Sequence, residues 1–183
     1  MRSTARAFAT IDDLEYRLCR WINCAGRYSQ VRNFFALVSR LGDGVIWYVL
    51  LLSLPLVAGK PGLLASLSMA VGALVGLVIY KSLKTMLVRE RPFIAHPDID
   101  CLTAPLDRYS FPSGHTLHAV FFAVVTAAWF PVLGPALFAF AALVALSRPI
   151  LGLHYPTDVL VGGLIGWSLA RAVLSWIPPQ SMM

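Results

Sequence analysis

The charged residues of the chain are spaced so that long uncharged runs lie between them. One run covers residues 44–59 and can be extended upstream through residues 31–41, and the next covers residues 62–80. A third run, residues 116–147, contains 32 residues without Asp, Glu, Lys or Arg. At ~1.5 Å per residue, a helix of this length is too long for one ~30 Å hydrocarbon layer. A fourth run, residues 159–177, contains only Arg171. Such runs predict membrane-spanning helices.

Glycine and proline residues divide these runs into individual helices. The sequence Gly59-Lys60-Pro61-Gly62 predicts a hairpin turn, and Pro131, Gly134 and Pro135 predict a second turn in the middle of the third run. The pattern therefore predicts five spans. Residues 5–41 are too charged to cross readily and are expected to form amphipathic helices at the interface, with a sixth span if they cross as well. We expect an all-α, polytopic membrane helical bundle with five or six transmembrane helices.

Composition supports a membrane protein. The chain is 58% hydrophobic and 13% charged, with a mean hydropathy of +0.71, whereas soluble domains carry about 25% charged residues. We divide the chain into an N-terminal interfacial segment (1–43), an embedded core (44–177) and a short tail (178–183). The net charge of +6 is explained by membrane lipids, because the basic residues do not form the stripe with interleaved aromatics that nucleic acid binding needs. The 3 cysteines form neither a disulfide framework nor a metal site.

Two polar clusters border the predicted spans on one membrane face. Lys84 and Arg91-Pro92 follow the second span, where they could equally be the positive flank of a membrane helix. Pro112-Ser113-Gly114-His115 precedes the third run. There the free N–H groups of a helix start form an anion site, although Ser113 would cap the helix without any ligand.

A third cluster lies on the same face. Ser147-Arg148 is followed after five residues by His154, and after three more by Asp158. Pro156 is suited to begin the last helix, with Asp158 in its first turn. An aspartate near a histidine can fix the ring's tautomer and raise its basicity, as nucleophilic catalysis requires. The alternative is an interfacial histidine beside a capping aspartate.

Taken together, the three clusters resemble the three-part signature of the type 2 phosphatidic acid phosphatase superfamily. The order and all fixed positions of Lys84-x6-Arg91-Pro92, Pro112-Ser113-Gly114-His115 and Ser147-Arg148-x5-His154-x3-Asp158 match that signature. The superfamily includes membrane lipid phosphatases, soluble acid phosphatases and vanadium haloperoxidases. The long apolar spans favour the membrane branch, of the bacterial undecaprenyl-diphosphate phosphatase or phosphatidylglycerophosphatase B type.

The resemblance implies a role for each residue of the signature. His154 would attack phosphorus, Asp158 would orient His154, and His115 would act as general acid and then general base. The phosphoryl oxygens would be held by Lys84, Arg91, Ser113, Gly114 and Arg148. No metal and no cofactor are implied. Asp107, Arg108 and Tyr109 could touch a head group.

The resemblance also implies a lipid phosphate substrate at a membrane face. Undecaprenyl diphosphate is the leading candidate, followed by phosphatidylglycerophosphate or phosphatidic acid, and by lipid A phosphates. A transporter or scaffold without catalysis and a vanadium haloperoxidase are the alternatives from other classes.

We expect a multi-pass protein of the bacterial cytoplasmic (inner) membrane with an extracytoplasmic site. The 7 arginines up to Arg40 fit that side only if the N-terminal segment crosses. The sequence leaves the oligomeric state open.

Overall fold

The structure, a computed structural model, describes residues 2–105 and 107–179, with side chains from residue 13 onward. Its elements are α1 (Arg2–Asn23), a 3-10 turn (Cys24–Arg27), α2 (Ser29–Arg40), a π turn (Leu41–Val45), α3 (Ile46–Leu87), α4 (Pro92–Ala95), α5 (Gly114–Trp129), a 3-10 turn (Pro131–Leu133), α6 (Gly134–Ile150) and α7 (Pro156–Trp176). Within the described ranges there is no strand, and extended pairing is limited to one bridge between Glu90 and Tyr109. The predicted all-α class is confirmed.

The long helix α3 folds back on itself at Gly59. This residue has φ 58° and ψ −133°, a conformation that glycine adopts without steric cost. The two arms, residues 46–58 and 60–87, lie side by side. A hydrogen bond of 2.8 Å from Ser66 Oγ to the Leu51 carbonyl joins them. A Cβ at Gly62 would come within 2.0 Å of the Leu54 carbonyl oxygen. The predicted hairpin turn is confirmed.

The third apolar run is also folded in two. Helix α5 ends at Trp129, a turn covers Pro131–Leu133, and α6 begins at Gly134. Among the described residues, three helical stretches are long and apolar enough to cross a membrane, namely Ser29–Leu87, Pro131–Ile150 and Pro156–Trp176, and α5 is a shorter apolar helix. With the hairpin counted as two arms, the five apolar segments are helical where the sequence predicts them.

Helix α5 lies at the centre of the bundle and packs against α3, α6 and α7. The rings of Trp47 and Phe122 stack with centroids 5.0 Å apart, and Phe121 and Val125 are fully buried. Apolar side chains such as Leu56, which is 86% exposed, point outward from the bundle. An apolar exterior around an apolar core is typical of a protein surrounded by lipid.

The N-terminal helices lie across one end of the bundle, where α6 ends and α7 begins. Glu15 contacts Thr157, Asn23 donates a hydrogen bond of 2.9 Å to the Ile150 carbonyl, and Ser39 accepts one from Arg148. Residues 15–39 therefore run along this end of the bundle, which favours five spans over six.

Candidate active site

The three sequence motifs meet at the end of the bundle that the N-terminal helices cover. The second arm of α3 and helix α6 end there, and α5 and α7 begin there. Of the eight residues that the sequence singles out, six line one cavity: Lys84, Arg91, Gly114, His115, Arg148 and His154. The other two, Ser113 and Asp158, are buried behind it and are joined by a main-chain hydrogen bond.

Lys84 and Arg91 share a carboxylate partner. Lys84 Nζ lies 2.6 Å from Asp107 Oδ2, and Arg91 Nη2 lies 2.8 Å from Asp107 Oδ1. Burial alone would raise the pKa of Asp107, but the hydrogen bonds and charges of the two cations outweigh it and hold that pKa below its ordinary value. Two buried cations bridged by one carboxylate form a site with the charge and spacing that a phosphoryl group needs.

Arg148 is buried near the same cavity with only part of its guanidinium engaged. One Nη1–H donates to Ser39 Oγ, whereas Nε has no hydrogen-bond partner among the described residues. An unpartnered guanidinium nitrogen in a buried position has a strong tendency to bind an acceptor. A phosphate oxygen supplies such an acceptor.

His154 lies in the loop between α6 and α7 and is 2% exposed. Its Nε2 lies 3.3 Å from Arg91 Nη1. Because a guanidinium only donates, this contact requires a lone pair on Nε2, and the neutral ring then carries its proton on Nδ1. The pKa of His154 lies well below its ordinary value, first because burial disfavours the charged ring and then because three nearby cations repel it. His154 is therefore a neutral imidazole whose free lone pair is on Nε2.

Asp158 lies behind His154 and is fully buried. Its Oδ2 accepts a hydrogen bond of 2.8 Å from the Tyr155 backbone N–H, which caps α7, and lies 3.6 Å from His154 Nδ1. That separation is longer than a hydrogen bond, and Nδ1 has no other partner among the described residues. The structure thus places Asp158 where the sequence analysis expects it, in contact with the proton-bearing side of the ring.

Arg89 is a site residue that the sequence analysis does not identify. Its Nη1 lies 2.8 Å from Asp158 Oδ1, and its Nη2 lies 2.6 Å from Glu15 Oε2. The guanidinium also lies 4.0 Å from the centroid of the Tyr155 ring. In the sequence, Arg89 lies between Lys84 and Arg91, and nothing there distinguishes it from another cation that flanks a membrane helix. Arg89 joins α1 to the carboxylate behind His154.

Helices α5 and α7 approach each other closely at the site. Ser113 caps α5, and its backbone N–H donates a hydrogen bond of 3.0 Å to the Asp158 carbonyl. A Cβ at Gly162 would come within 2.5 Å of the Ser113 carbonyl oxygen, and one at Gly166 within 2.2 Å of the Leu117 carbonyl oxygen. The two glycines allow α7 to lie against the start of α5.

His115 faces the cavity from the first turn of α5. Its Nε2 lies 3.4 Å from Asp43 Oδ1, in the π turn between α2 and α3. The other two histidines with described side chains have different roles. His118 contacts the carbonyls of Gly114 and Ala73, and the ring of His96 stacks on Tyr16.

The polar residues form one end of a cavity of about 530 Å³. Beyond the cations, its walls come from both arms of α3 and from α5, and the apolar lining includes Trp47, Leu51, Leu74, Leu77 and Phe122. Within the described part of the chain, no three His, Cys, Asp or Glu side chains form a group that could hold a metal ion. The cavity thus combines a cationic end with an apolar wall, as an amphiphilic phosphate requires.

Comparison with known proteins places this arrangement in a family. Residues 62–182 match the PAP2 superfamily, and the chain belongs to that superfamily. In structure, the chain is similar to LpxE of Aquifex aeolicus, with a TM-score of 0.77, 32% identity, and coverage of 87% of this chain and 93% of that one. It also shares the fold of a transmembrane PAP2-type phosphatidylglycerolphosphate phosphatase from Bacillus subtilis, with a TM-score of 0.73, 23% identity, and coverage of 91% of this chain and 86% of that one.

Curated relatives are similar over a shorter region. The decaprenylphosphoryl-5-phosphoribose phosphatase of Mycolicibacterium smegmatis is 40% identical over 52% of this chain and 51% of its own length. The undecaprenyl-diphosphatase of Sulfolobus acidocaldarius is 31% identical over 55% of this chain and 49% of its own length. The chain thus spans about half the length of these relatives.

Proposed function

We propose that this chain is a phosphatase that hydrolyses a lipid-linked phosphate or diphosphate without a metal ion, through a phosphohistidine on His154. The observation that carries the proposal is the neutral Nε2 of His154 beside the buried Arg91, at the cationic end of a cavity with an apolar wall. Family membership supports the same chemistry.

In the first step, His154 Nε2 attacks phosphorus. The Nε2–P bond forms while the bond from phosphorus to the leaving oxygen breaks, and His115 donates a proton to that oxygen. Lys84, Arg91 and Arg148 bind the non-bridging oxygens, with the Gly114 amide beside them. The Ser113 hydroxyl is bonded to Thr116 as the cap of α5 and would have to turn toward the cavity to join them. Phosphate has to replace the Asp107 carboxylate at Lys84 and Arg91, because one pair of cations serves both.

In the second step, water attacks the phosphohistidine. His115, now neutral, accepts a proton from the water, the N–P bond breaks, and inorganic phosphate is released. Asp158 stabilises the positive ring in both steps from the Nδ1 side. The three cations supply the charge neutralisation that metal ions supply in other phosphoryl transfer enzymes.

The proposed substrate is undecaprenyl diphosphate. The names of the Mycolicibacterium and Sulfolobus relatives both describe polyprenyl-linked phosphates, and the apolar wall of the cavity suits a long hydrocarbon chain. Phosphatidylglycerophosphate is the second candidate, because the Haemophilus influenzae relative, 30% identical over 84 residues, is named phosphatidylglycerophosphatase B. Phosphatidic acid and lipid A phosphates belong to the same chemical class.

The experiment is phosphate release by the full-length chain in detergent from a panel of these lipids, with and without EDTA. We expect one lipid to give the highest kcat/KM, with no loss in EDTA. A His96→Ala variant, which changes a histidine outside the cavity, serves as the matched control for His154→Ala. Loss of activity in EDTA that magnesium restores would contradict the metal-free mechanism. If the chain binds these lipids but releases phosphate from none of them, the result would favour a transporter or scaffold. Halide oxidation after vanadate is added would favour a haloperoxidase.

The side of the membrane that the site faces is a separate proposal. We retain the extracytoplasmic side, which the family resemblance favours. The positive-inside rule favours the cytoplasm, because Arg17, Arg20 and Arg27 lie near the site end together with the helices that carry them.

Labelling of the exposed Cys101 distinguishes an extracytoplasmic site from a cytoplasmic one. It lies at the site end, since the neighbouring Leu102 N–H donates a hydrogen bond of 3.1 Å to the Leu151 carbonyl. In intact cells carrying Cys24→Ser, a membrane-impermeant maleimide should label Cys101 without permeabilisation. Labelling only after the membrane is opened places the site in the cytoplasm.

A further inference from the structure

The turn between α2 and α3 brings to His115 an acidic side chain that the mechanism above does not use. Asp43 has φ −80° and ψ 20°, and Gly44 has φ 129°, so the helix is interrupted at these two residues. The positive φ at Gly44 is one that residues with a Cβ rarely adopt. The interruption directs Asp43 into the cavity, where its Oδ1 lies 3.4 Å from His115 Nε2.

Packing on both sides fixes this interruption. Trp47 Nε1–H donates a hydrogen bond of 3.0 Å to the Gly42 carbonyl, which the broken helix leaves available. A Cβ at Gly42 would come within 2.7 Å of Val144 Cγ2, so this end of α2 lies directly against α6. Two glycines and a π turn weaken a helix, and such features are frequent at functional sites. The position of Asp43 is therefore built into the fold.

The other groups that face His115 are mostly cationic. They come from several elements: Lys84 from α3, Arg91 from the turn after it, Arg148 from α6, His154 from the loop before α7, and His118 from α5. The second carboxylate of the cavity, Asp107, is engaged with Lys84 and Arg91. Among the described residues, Asp43 is thus the carboxylate in contact with His115.

We propose that Asp43 is a positioning residue that keeps His115 protonated before it donates its proton to the leaving group. The inference rests on the proposed function, because it assumes that His115 is the general acid. The imidazolium gives one proton to the leaving oxygen and becomes neutral, and it recovers a proton from the attacking water. Burial of His115, and then the cations around it, disfavour the charged ring. The Asp43 carboxylate in contact with it favours the charged ring.

The need for this proton depends on the leaving group. An alkoxide leaves poorly without protonation, whereas p-nitrophenolate leaves as an anion. Loss of the proton donor should therefore slow alkyl phosphates much more than aryl phosphates. This difference distinguishes a proton-donating assembly from residues that only shape the cavity.

The activity test compares Asp43→Asn with wild type on a short-chain phosphatidic acid and on p-nitrophenyl phosphate. We expect kcat/KM to fall about 10- to 100-fold for the alkyl phosphate and less than about threefold for the aryl phosphate. The high-pH limb of the alkyl profile should move to lower pH. Asp43→Glu should restore part of the loss.

Asp100→Asn is the matched control, because Asp100 is an aspartate of similar exposure that is paired with Arg27. This variant should leave both rates unchanged. Equal losses on both substrates, or no loss, would overturn the proposal.

A second measurement does not depend on turnover. NMR of ring-labelled histidines in detergent, assigned with His96→Gln and His118→Gln, follows the titration of His115. In Asp43→Asn its midpoint should move about one unit toward lower pH, and an unchanged midpoint would overturn the proposal. If wild type releases no phosphate from any substrate and the midpoint still moves, the effect of Asp43 on His115 is supported while the proposed function fails. Thermal unfolding of each variant identifies those that do not fold.

Discussion

The two site histidines are supported in different ways. His154 is buried, and the groups behind it extend away from the cavity through Asp158 and Arg89 to Glu15 on α1. His115 borders the cavity itself and contacts one carboxylate, Asp43, which is 44% exposed. His154 is thus enclosed by a network of charged groups, whereas His115, which is 10% exposed, borders the cavity.

The difference corresponds to what each proposed role requires. A nucleophile must present the same nitrogen at every turnover, so its tautomer and orientation have to be fixed. An acid that becomes a base must gain and lose a proton in each cycle, so it needs access to the leaving group and to water. The predictions below test the two supports separately.

The largest effect should come from removing the nucleophile. We expect His154→Ala to lower kcat by at least about 10⁴-fold on every substrate, including aryl phosphates, because no other group can form the covalent bond. Rapid quenching with a ³²P-labelled substrate should trap an acid-labile, alkali-stable phosphoenzyme in wild type and none in the variant. Residual activity of more than a few per cent in a folded variant would contradict the assignment.

A smaller effect should come from weakening the network behind His154. Asp158→Asn should lower kcat by about 10²- to 10⁴-fold, since it removes the charge partner of the ring. Arg89→Gln should lower kcat by about 10- to 100-fold with little change in KM, because Asp158 loses one fixed partner while the ring stays in place. Unlike Asp43→Asn, both variants should affect alkyl and aryl phosphates equally.

Arg17→Gln is the matched control for Arg89→Gln. Arg17 forms an exposed ion pair with Asp13, and such pairs contribute little. A loss in Arg17→Gln as large as that in Arg89→Gln would show that the effect is not specific to the network.

The pH dependence should be weak on the acidic side. Because the pKa of His154 lies below its ordinary value of ~6.5, the ring is already neutral there, and activity that needs the neutral ring is lost only as pH falls through this lowered pKa. Between pH 7.5 and 6.0, kcat/KM for p-nitrophenyl phosphate, whose leaving group needs no proton from His115, should fall less than about twofold, against about fourfold for an ordinary histidine. Substrate ionisation, measured by ³¹P NMR, is divided out first. A fourfold fall after that correction would contradict a depressed pKa.

The smallest effect should come from Asp107→Asn. The neutral amide competes less well with phosphate for Lys84 and Arg91, so inhibition by orthovanadate should strengthen by a few-fold. Unchanged or weaker inhibition would show that Asp107 does not compete with the anion.

The sequence predicts most of this fold because its determinants are local. Apolar runs specify the helices, Gly59 and Pro131 specify the turns, and the ends of antiparallel spans necessarily meet on one face. The motif residues were therefore identifiable before the fold was known. Their roles in catalysis stay predictions until the variants are measured.

The supporting residues were not predictable in the same way. Glu15 contacts Thr157, which is 142 positions away, and no local pattern encodes that pairing. In the sequence, Asp43 is only the charged residue that precedes the apolar run of residues 44–59. Its contact with His115 depends on a helix break that periodicity does not show. The sequence analysis also allows a sixth span, and the contacts of residues 15–39 with the ends of α6 and α7 favour five.

The backbone contact between α5 and α7 has a consequence for how such proteins diversify. Ser113 is bound to Asp158 through main-chain atoms, and Gly162 allows the two helices to touch. The relative placement of the two histidine-bearing motifs is thus set by the bundle and not by the connecting loops. Under the proposed function, the apolar residues that line the cavity, such as Leu51, Leu74 and Leu77, can change, and with them the lipid that fits, while the histidines keep their spacing. The lipid preference could then change without any change in the chemistry.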